Sequence, residues 1–319
     1  MTYMTSEDLL LSMLVLHRSA YPETDVSSRY KLDRAAITNN IETRFLWSAQ
    51  RIRTLSYALN WSQTLKKSKR KPDNLVRRKE QIIFHDLRTM PPNEVKAENE
   101  GLANWIVSQV IRDLNEYISY HILQVHDMCA RLPDADKYLT SQDIQNALLK
   151  SREFETRGLA DGLKILRKEF GIKFQNQRML INLYKMRNLF AHFDGIVQRK
   201  YCDAKGTFKT RWLANKRYLV RRRTGKRVLY SKVSGPISGK EYSQMQTEWL
   251  ARVEERTYKL GDKIELDIKD VSDLVFFHMC VLNELQVSTI KFMKSQGFLV
   301  REFDAYGAKL ESSLIYELD

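Results

Sequence analysis

Residues 179–197, MLINLYKMRNLFAHFDGIV, decide how the rest of the chain is read. At about 100° per residue, Met179, Leu183, Met186, Phe190 and Phe193 fall on one narrow face, which predicts a helix with an ordinary core seam. Ile181, Tyr184, Asn188 and His192 form a second, half-polar seam opposite the first, with Arg187 at the edge between the two. A helix with two seams meets two partners. Gly195 ends the helix with a turn.

Outward from this stretch the composition is helical. With 12 Gly and 6 Pro in 319 residues and a hydrophobic content of 43%, the chain can bury a full core with little disordered linker. The spacing predicts a long helix over residues 33–67, with Ile41, Phe45, Ser48, Ile52, Leu55 and Leu59 inward. A second runs over residues 97–131 through Trp105, Ile106, Val110, Leu114, Ile118, His121, Ile122 and Val125. Shorter helices follow near 140–150 and 154–170, and a last long one covers 270–295. A buried helix is expected over 5–18, a helix over 240–258 and a short strand over 263–268. His121, His126 and His278 lie on apolar stripes and are expected to be buried core residues.

Net charge is +14, which favours polyanion partners. Most of it lies in residues 199–235, where 13 Lys or Arg face one acid, Asp203. Tyr218–Arg221 and Arg227–Tyr230 flank Thr224-Gly225, which predicts a β-hairpin with a glycine turn. Cations interleaved with aromatics suit a single-stranded nucleic acid, the cations on phosphates and the rings against bases. Arg211, Lys216, Arg217, Arg221, Arg222, Arg223, Lys226 and Arg227, with Trp212 and Tyr218, are the candidate contacts. The alternative is a basic surface that aids solubility or pairs with an acidic protein. A second basic stretch, residues 66–80, holds eight cations and two acids and reads equally as a solvated loop or a phosphate contact.

Other chemistry finds no pattern. Cys129, Cys202 and Cys280 are isolated, which points to a reducing, cytoplasmic setting. The apolar run at residues 9–16 is too short to span a bilayer, so no membrane is expected. No phosphate loop, zinc spacing or acidic cluster for two metals stands out, so neither metal nor cofactor is expected.

Arg187-Asn188-x-x-x-His192, followed by Gly195-Ile196-Val197, resembles the signature of HEPN-domain ribonucleases: an Arg, four to six residues, then a His, often with a polar residue directly after the Arg. The likeness extends weakly over the chain after residue 95. Many members have Asn after the His, where this chain has Phe193-Asp194. Arg78 and His85 also fit the bare spacing, without the following glycine, and are read as a chance match.

The resemblance implies an all-α, multi-helix bundle over residues 96–319 carrying a small basic β-hairpin insertion at 199–235, with N-terminal helices over 1–95 packed on it. It implies a homodimer in which two motifs form one composite cleft that cleaves RNA, for instance tRNA or mRNA, without metal. In that reading His192 is the acid–base group, Arg187 stabilises the phosphate and Asn188 orients His192 or hydrogen-bonds the scissile phosphate. Many relatives act as toxins or in antiviral defence, which adds an antitoxin or defence-system protein as a partner. Two readings stand beside this one: a non-catalytic dimeric RNA- or DNA-binding module, and a helix whose Arg and His merely satisfy polar neighbours.

Overall fold

A forty-residue helix contacts each of the other α-helices among the described residues. The structure is a computed structural model that describes residues 14–16, 30–67, 91–221, 223–229 and 245–300. Among these residues it is mostly helical: α1 (Arg34–Lys67), α2 (Pro92–Arg131), α3 (Ser141–Glu155), α4 (Leu159–Phe170), α5 (Gln177–Phe193) and α6 (Ile268–Ser295). Proline at the first position of α2 costs nothing, because that N–H has no helical partner. Reciprocal Thr140–Asp143 and Asp267–Asp270 capping boxes start α3 and α6, and a left-handed Gly171 ends α4. α1 buries Ile41, Phe45, Ser48, Ile52 and Leu59, as its spacing predicts, and packs on α2 and α6. α2 also contacts α3, α4 and α5. None of the described helices is long and apolar enough to cross a membrane.

The sheet content exceeds a small insertion. β1 (Leu14–Leu16), β2 (Tyr30–Leu32) and β3 (Tyr138–Leu139) form one short antiparallel sheet. Leu14–Leu16 is therefore strand where a helix over 5–18 is expected; a run apolar on all sides fits either element. The remainder of 5–18 lies outside the described residues.

β4 (Thr207–Arg221), β5 (Arg227–Leu229) and β6 (Met245–Lys259) form the second sheet, in the order β5-β4-β6. The expected hairpin is present, pairing Tyr218 with Leu229 and Val220 with Arg227. The principal partner of β4, however, is β6, aligned rung by rung from Thr207↔Lys259 to Arg221↔Met245. Residues 245–259 are thus strand and not helix. Their helix-forming Glu, Arg and Leu are overridden by pairing with β4 and by ion pairs to it. Residues 263–268 contribute one bridge, Ile196↔Lys263, and then the cap of α6, so the alternation of Ile264 and Leu266 marks a buried extended link.

β4 contacts both α5 and α6. Trp212, Leu213 and Ala214 are consecutive and all fully buried, as in a strand covered on both faces.

The three stripe histidines are buried. His126 stacks on Phe154 with centroids 3.7 Å apart. His121 Nδ1 lies 3.1 Å from Ser48 Oγ, and His278 Nδ1 lies 2.7 Å from the Leu274 carbonyl oxygen. Burial pushes the His121 imidazole down to about 3 and that of His278 to about 4. Both are neutral when folded and take up a proton on unfolding below about 6.5. Their contribution is therefore complete above that pH and is lost as pH falls toward 4. Melting temperature should drop from pH 7 to pH 4.5, and drop less steeply in His121→Gln; an unchanged slope in that variant would refute the assignment.

Candidate functional site

α5 delivers the motif. Its buried face is Leu180, Leu183, Met186 and Leu189, rotated slightly from the expected Met179, Leu183, Met186, Phe190 and Phe193. The difference has a cause: α2, α4 and β4 all contact α5, so Met179, Phe190 and Phe193 sit half-buried on the flanks of a wider face. Of the second seam, Ile181, Tyr184 and Asn188 are half-buried and His192 is exposed.

The end of the helix is fixed by backbone conformation. Asp194 is left-handed (φ 50°) and Gly195 follows with φ 77°. A Cβ on Gly195 would come within 3.2 Å of the Phe190 ring, so the position requires glycine on two counts. The Gly195 N–H donates to the Leu189 carbonyl (3.0 Å), while the Ile264 N–H donates to that of Gly195 (2.9 Å). The loop after His192 is thereby stitched to the segment that leaves β6. Lys263 Nζ adds an ion pair to Asp194 at 3.2 Å.

Arg187 does not project freely. One terminal nitrogen of its guanidinium pairs with the carboxylate of Glu116 on α2, and the other donates to Asn188 Oδ1 at 3.1 Å. Its carbon also lies 5.9 Å from the centre of the Tyr184 ring. The Arg187 side chain is 19% exposed and that of Glu116 is 39% exposed. The site therefore consists of an exposed imidazole at the end of α5 and, a little over one turn back, a guanidinium whose direction is fixed by an acid from another helix.

Glu116 is the member that sequence reasoning missed. The available signal was a polar stripe on α2: Gln109, Arg112, Asp113 and Glu116 at spacings of three, one and three. Gln109 Nε2 donates to Asp113 Oδ1 at 2.7 Å. Burial raises the Asp113 carboxyl above its ordinary range, an effect that the Gln109 bond opposes and the nearby Glu116 charge reinforces. Lys200 is a second addition, with Nζ 4.9 Å from the centre of the Phe193 ring beside His192. Trp105, expected on the core face of α2, is 59% exposed.

The basic arm is more neutral than its sequence. Arg211 pairs with Glu255, its directly opposite partner on β6, and Lys216 Nζ lies 2.8 Å from Glu254 Oε1. That bond holds the Lys216 ammonium above its ordinary range and the Glu254 carboxyl below its own. Trp212 is 0% exposed, so its indole belongs to the core and presents no face to a base. Tyr218 is half-buried. Arg221, Arg223, Lys226 and Arg227 are exposed around the β4–β5 turn. The side chains of Arg217 and Arg222, like residues 68–80 with Arg78 and also His85, lie outside the described residues.

Trp212→Ala should cost about 3–5 kcal/mol of stability in denaturant titration, the range of a large core truncation. A loss below about 1 kcal/mol would place the indole at the surface after all. No family model, curated protein or solved structure matches the chain.

Proposed function

We propose that the protein is a metal-independent endoribonuclease of the HEPN type, with its active site composed across a homodimer. The observation that carries this reading is the pairing of an exposed His192 with an Arg187 held in a fixed direction by Glu116 and Asn188.

RNA carries its own nucleophile. A base must take the 2′-hydroxyl proton, an acid must protonate the leaving 5′-oxygen, and a cation must meet the charge growing on the phosphoryl oxygens. His192 performs the proton transfers and Arg187 stabilises the phosphoryl oxygens. Asn188, one turn before His192, hydrogen-bonds either the imidazole or the phosphate. One imidazole cannot accept and donate at the same instant, so a second copy supplies the other, docked along Ile181, Tyr184 and Asn188. The products are a 2′,3′-cyclic phosphate and a 5′-hydroxyl. RNA, such as tRNA or mRNA, is the substrate, and an antitoxin or defence-system protein is the expected regulator of such an activity.

A second reading has its own observation. Glu116 occupies the guanidinium that a phosphate would need. In a non-catalytic RNA- or DNA-binding module that ion pair is simply structural, and the basic turn binds nucleic acid without cleavage.

Incubation of the purified chain with total tRNA and mRNA in EDTA separates the two. Chelator-resistant fragments with cyclic-phosphate ends, absent for His192→Ala while that variant keeps its RNA affinity, are the expected result. Tight, salt-sensitive binding by both proteins without fragments favours the binding module. Replacing Arg221, Arg222 and Arg223 together with Gln should weaken RNA binding and flatten its salt dependence by up to about three phosphate contacts. An unchanged salt slope removes the arm from the interface.

A further inference from the structure

The C-terminal half of α2 contains buried polar groups that the reading above does not use. Every residue from 121 to 129 is buried, and among them Asp127 is 1% exposed with no hydrogen bond to either carboxylate oxygen. The closest side-chain nitrogen of a basic residue is His126 Nδ1, 3.5 Å from Oδ1 and beyond the usual hydrogen-bond length. One turn further on, Arg131 is 5% exposed. Its Nη2 donates to Ser151 Oγ at 3.1 Å, while its Nε has no partner. Burial pulls its guanidinium below the ordinary range, opposed by the charges of Asp127 and Asp134. The carboxylate and guanidinium share a helix face, yet no ion pair joins them. A charge buried without a counter-ion or hydrogen bonds is strongly disfavoured, so a third group belongs between them.

There is room for one. Asp127 and Arg131 line a cavity of about 360 Å³ between α2 and α3, which Leu139 and Ala147 also line. A neighbouring cavity of about 400 Å³ shares His126, Ala130 and Lys150 with it; Phe154, Ile165 and Phe170 form its buried and half-buried wall, and the exposed Glu153, Arg157 and Glu169 also line it. The imidazole of His126, flat against the Phe154 ring, lines both cavities. Ligand pockets of small molecules begin at about this size.

Charge selects the occupant. Asp134 is taken by Lys137 at 2.9 Å, and Asp143 is consumed by the Thr140 cap. Among the buried lining groups one carboxylate and one guanidinium remain, while Lys150 stands exposed where the two cavities meet. An anion alone would meet Asp127 and a cation alone would meet Arg131, whereas a zwitterion satisfies both. We propose that this cavity binds a free α-amino acid with an apolar side chain. The ammonium group donates to Asp127, the carboxylate accepts from Arg131, and the side chain passes His126 into the second cavity. The site lies three turns of α2 from Glu116 and shares no residue with the motif, so its test is independent of the ribonuclease reading.

Titration calorimetry and thermal melts of the full chain with L-phenylalanine and L-leucine test it, beside phenethylamine and 3-phenylpropionate, which each keep one of the two charges. At least one amino acid should bind saturably and raise the melting temperature, at least about tenfold more tightly than either single-charge analogue. Asp127→Asn should weaken that binding about tenfold or more. Ala130→Phe, at an exposed alanine in the shared mouth, should abolish it without lowering the melting temperature of the free chain. The proposal is overturned if neither amino acid binds at millimolar concentration, which leaves the cavity to water. It is equally overturned if the analogues bind as well, or if binding survives Ala130→Phe.

Discussion

A helix without a solvent face must be matched on every side, and between residues 121 and 129 α2 has no such face. This constraint organises the molecule. α1, α3, α4, α5 and α6 all contact α2, and its buried apolar side chains run from Val95 to Cys129. Polar side chains along the buried stretch then have only fixed partners. His121 meets Ser48 on α1, and His126 lies on Phe154 of α3, each bringing a neighbouring helix into one register. The Gln124 amide, both Asp127 oxygens and Arg131 Nε have no partner, and of these residues Asp127 and Arg131 line a cavity.

The same constraint sets the motif. α5 approaches α2 with Leu180, Leu183, Met186 and Leu189 inward, which leaves Arg187 at the margin facing the less buried flank of α2. Glu116 stands on that flank, so the guanidinium is directed by α2 and not by its own helix. His192, five residues later, lies on the outward face of the last turn and reaches solvent, while Phe193 beside it still packs on the core. The contrast between a held arginine and an exposed histidine follows from the face of α5 that each occupies.

Much of this was legible in the sequence. Periodicity located α1, α2 and α6, because each buries a continuous stripe whose spacing survives whatever covers it. Gly171 and Gly195 marked helix ends through conformations that other residues adopt only at a cost. β6 was not legible: MQTEWLARVEERTYK is rich in helix formers, and only β4, more than thirty residues earlier, makes it a strand. Trp212 was misplaced for a related reason. Alternation with cations suggested a surface position, but β4 is covered on both faces there, and alternation fails in a strand without a wet side. Glu116 could be seen as polar but not as a partner, since its contact spans 71 residues.

The charge of the chain is accordingly distributed less simply than +14 implies. Along the middle of β4, acids from β6 answer Arg211 and Lys216, and Asp270 of α6 answers Arg256. Exposed cations gather instead around the β4–β5 turn, at the far end of the ribbon. Its near end is fastened beside the motif, where the Val197 N–H donates to the Asp262 carbonyl and the Gly261 N–H to that of Val197. From Thr207 to Arg221 a strand extends roughly 45 Å at about 3.3 Å per residue. That separation exceeds the Debye length of about 8 Å at physiological salt several times over. Through solvent, cations at the turn are therefore screened from the near end of the ribbon. A nucleic acid held at the turn reaches the motif only if it is long enough to lie along the ribbon. Under the proposed function, affinity set at the turn and chemistry set at His192 and Arg187 would be physically separable, coupled only by the length and path of the bound strand.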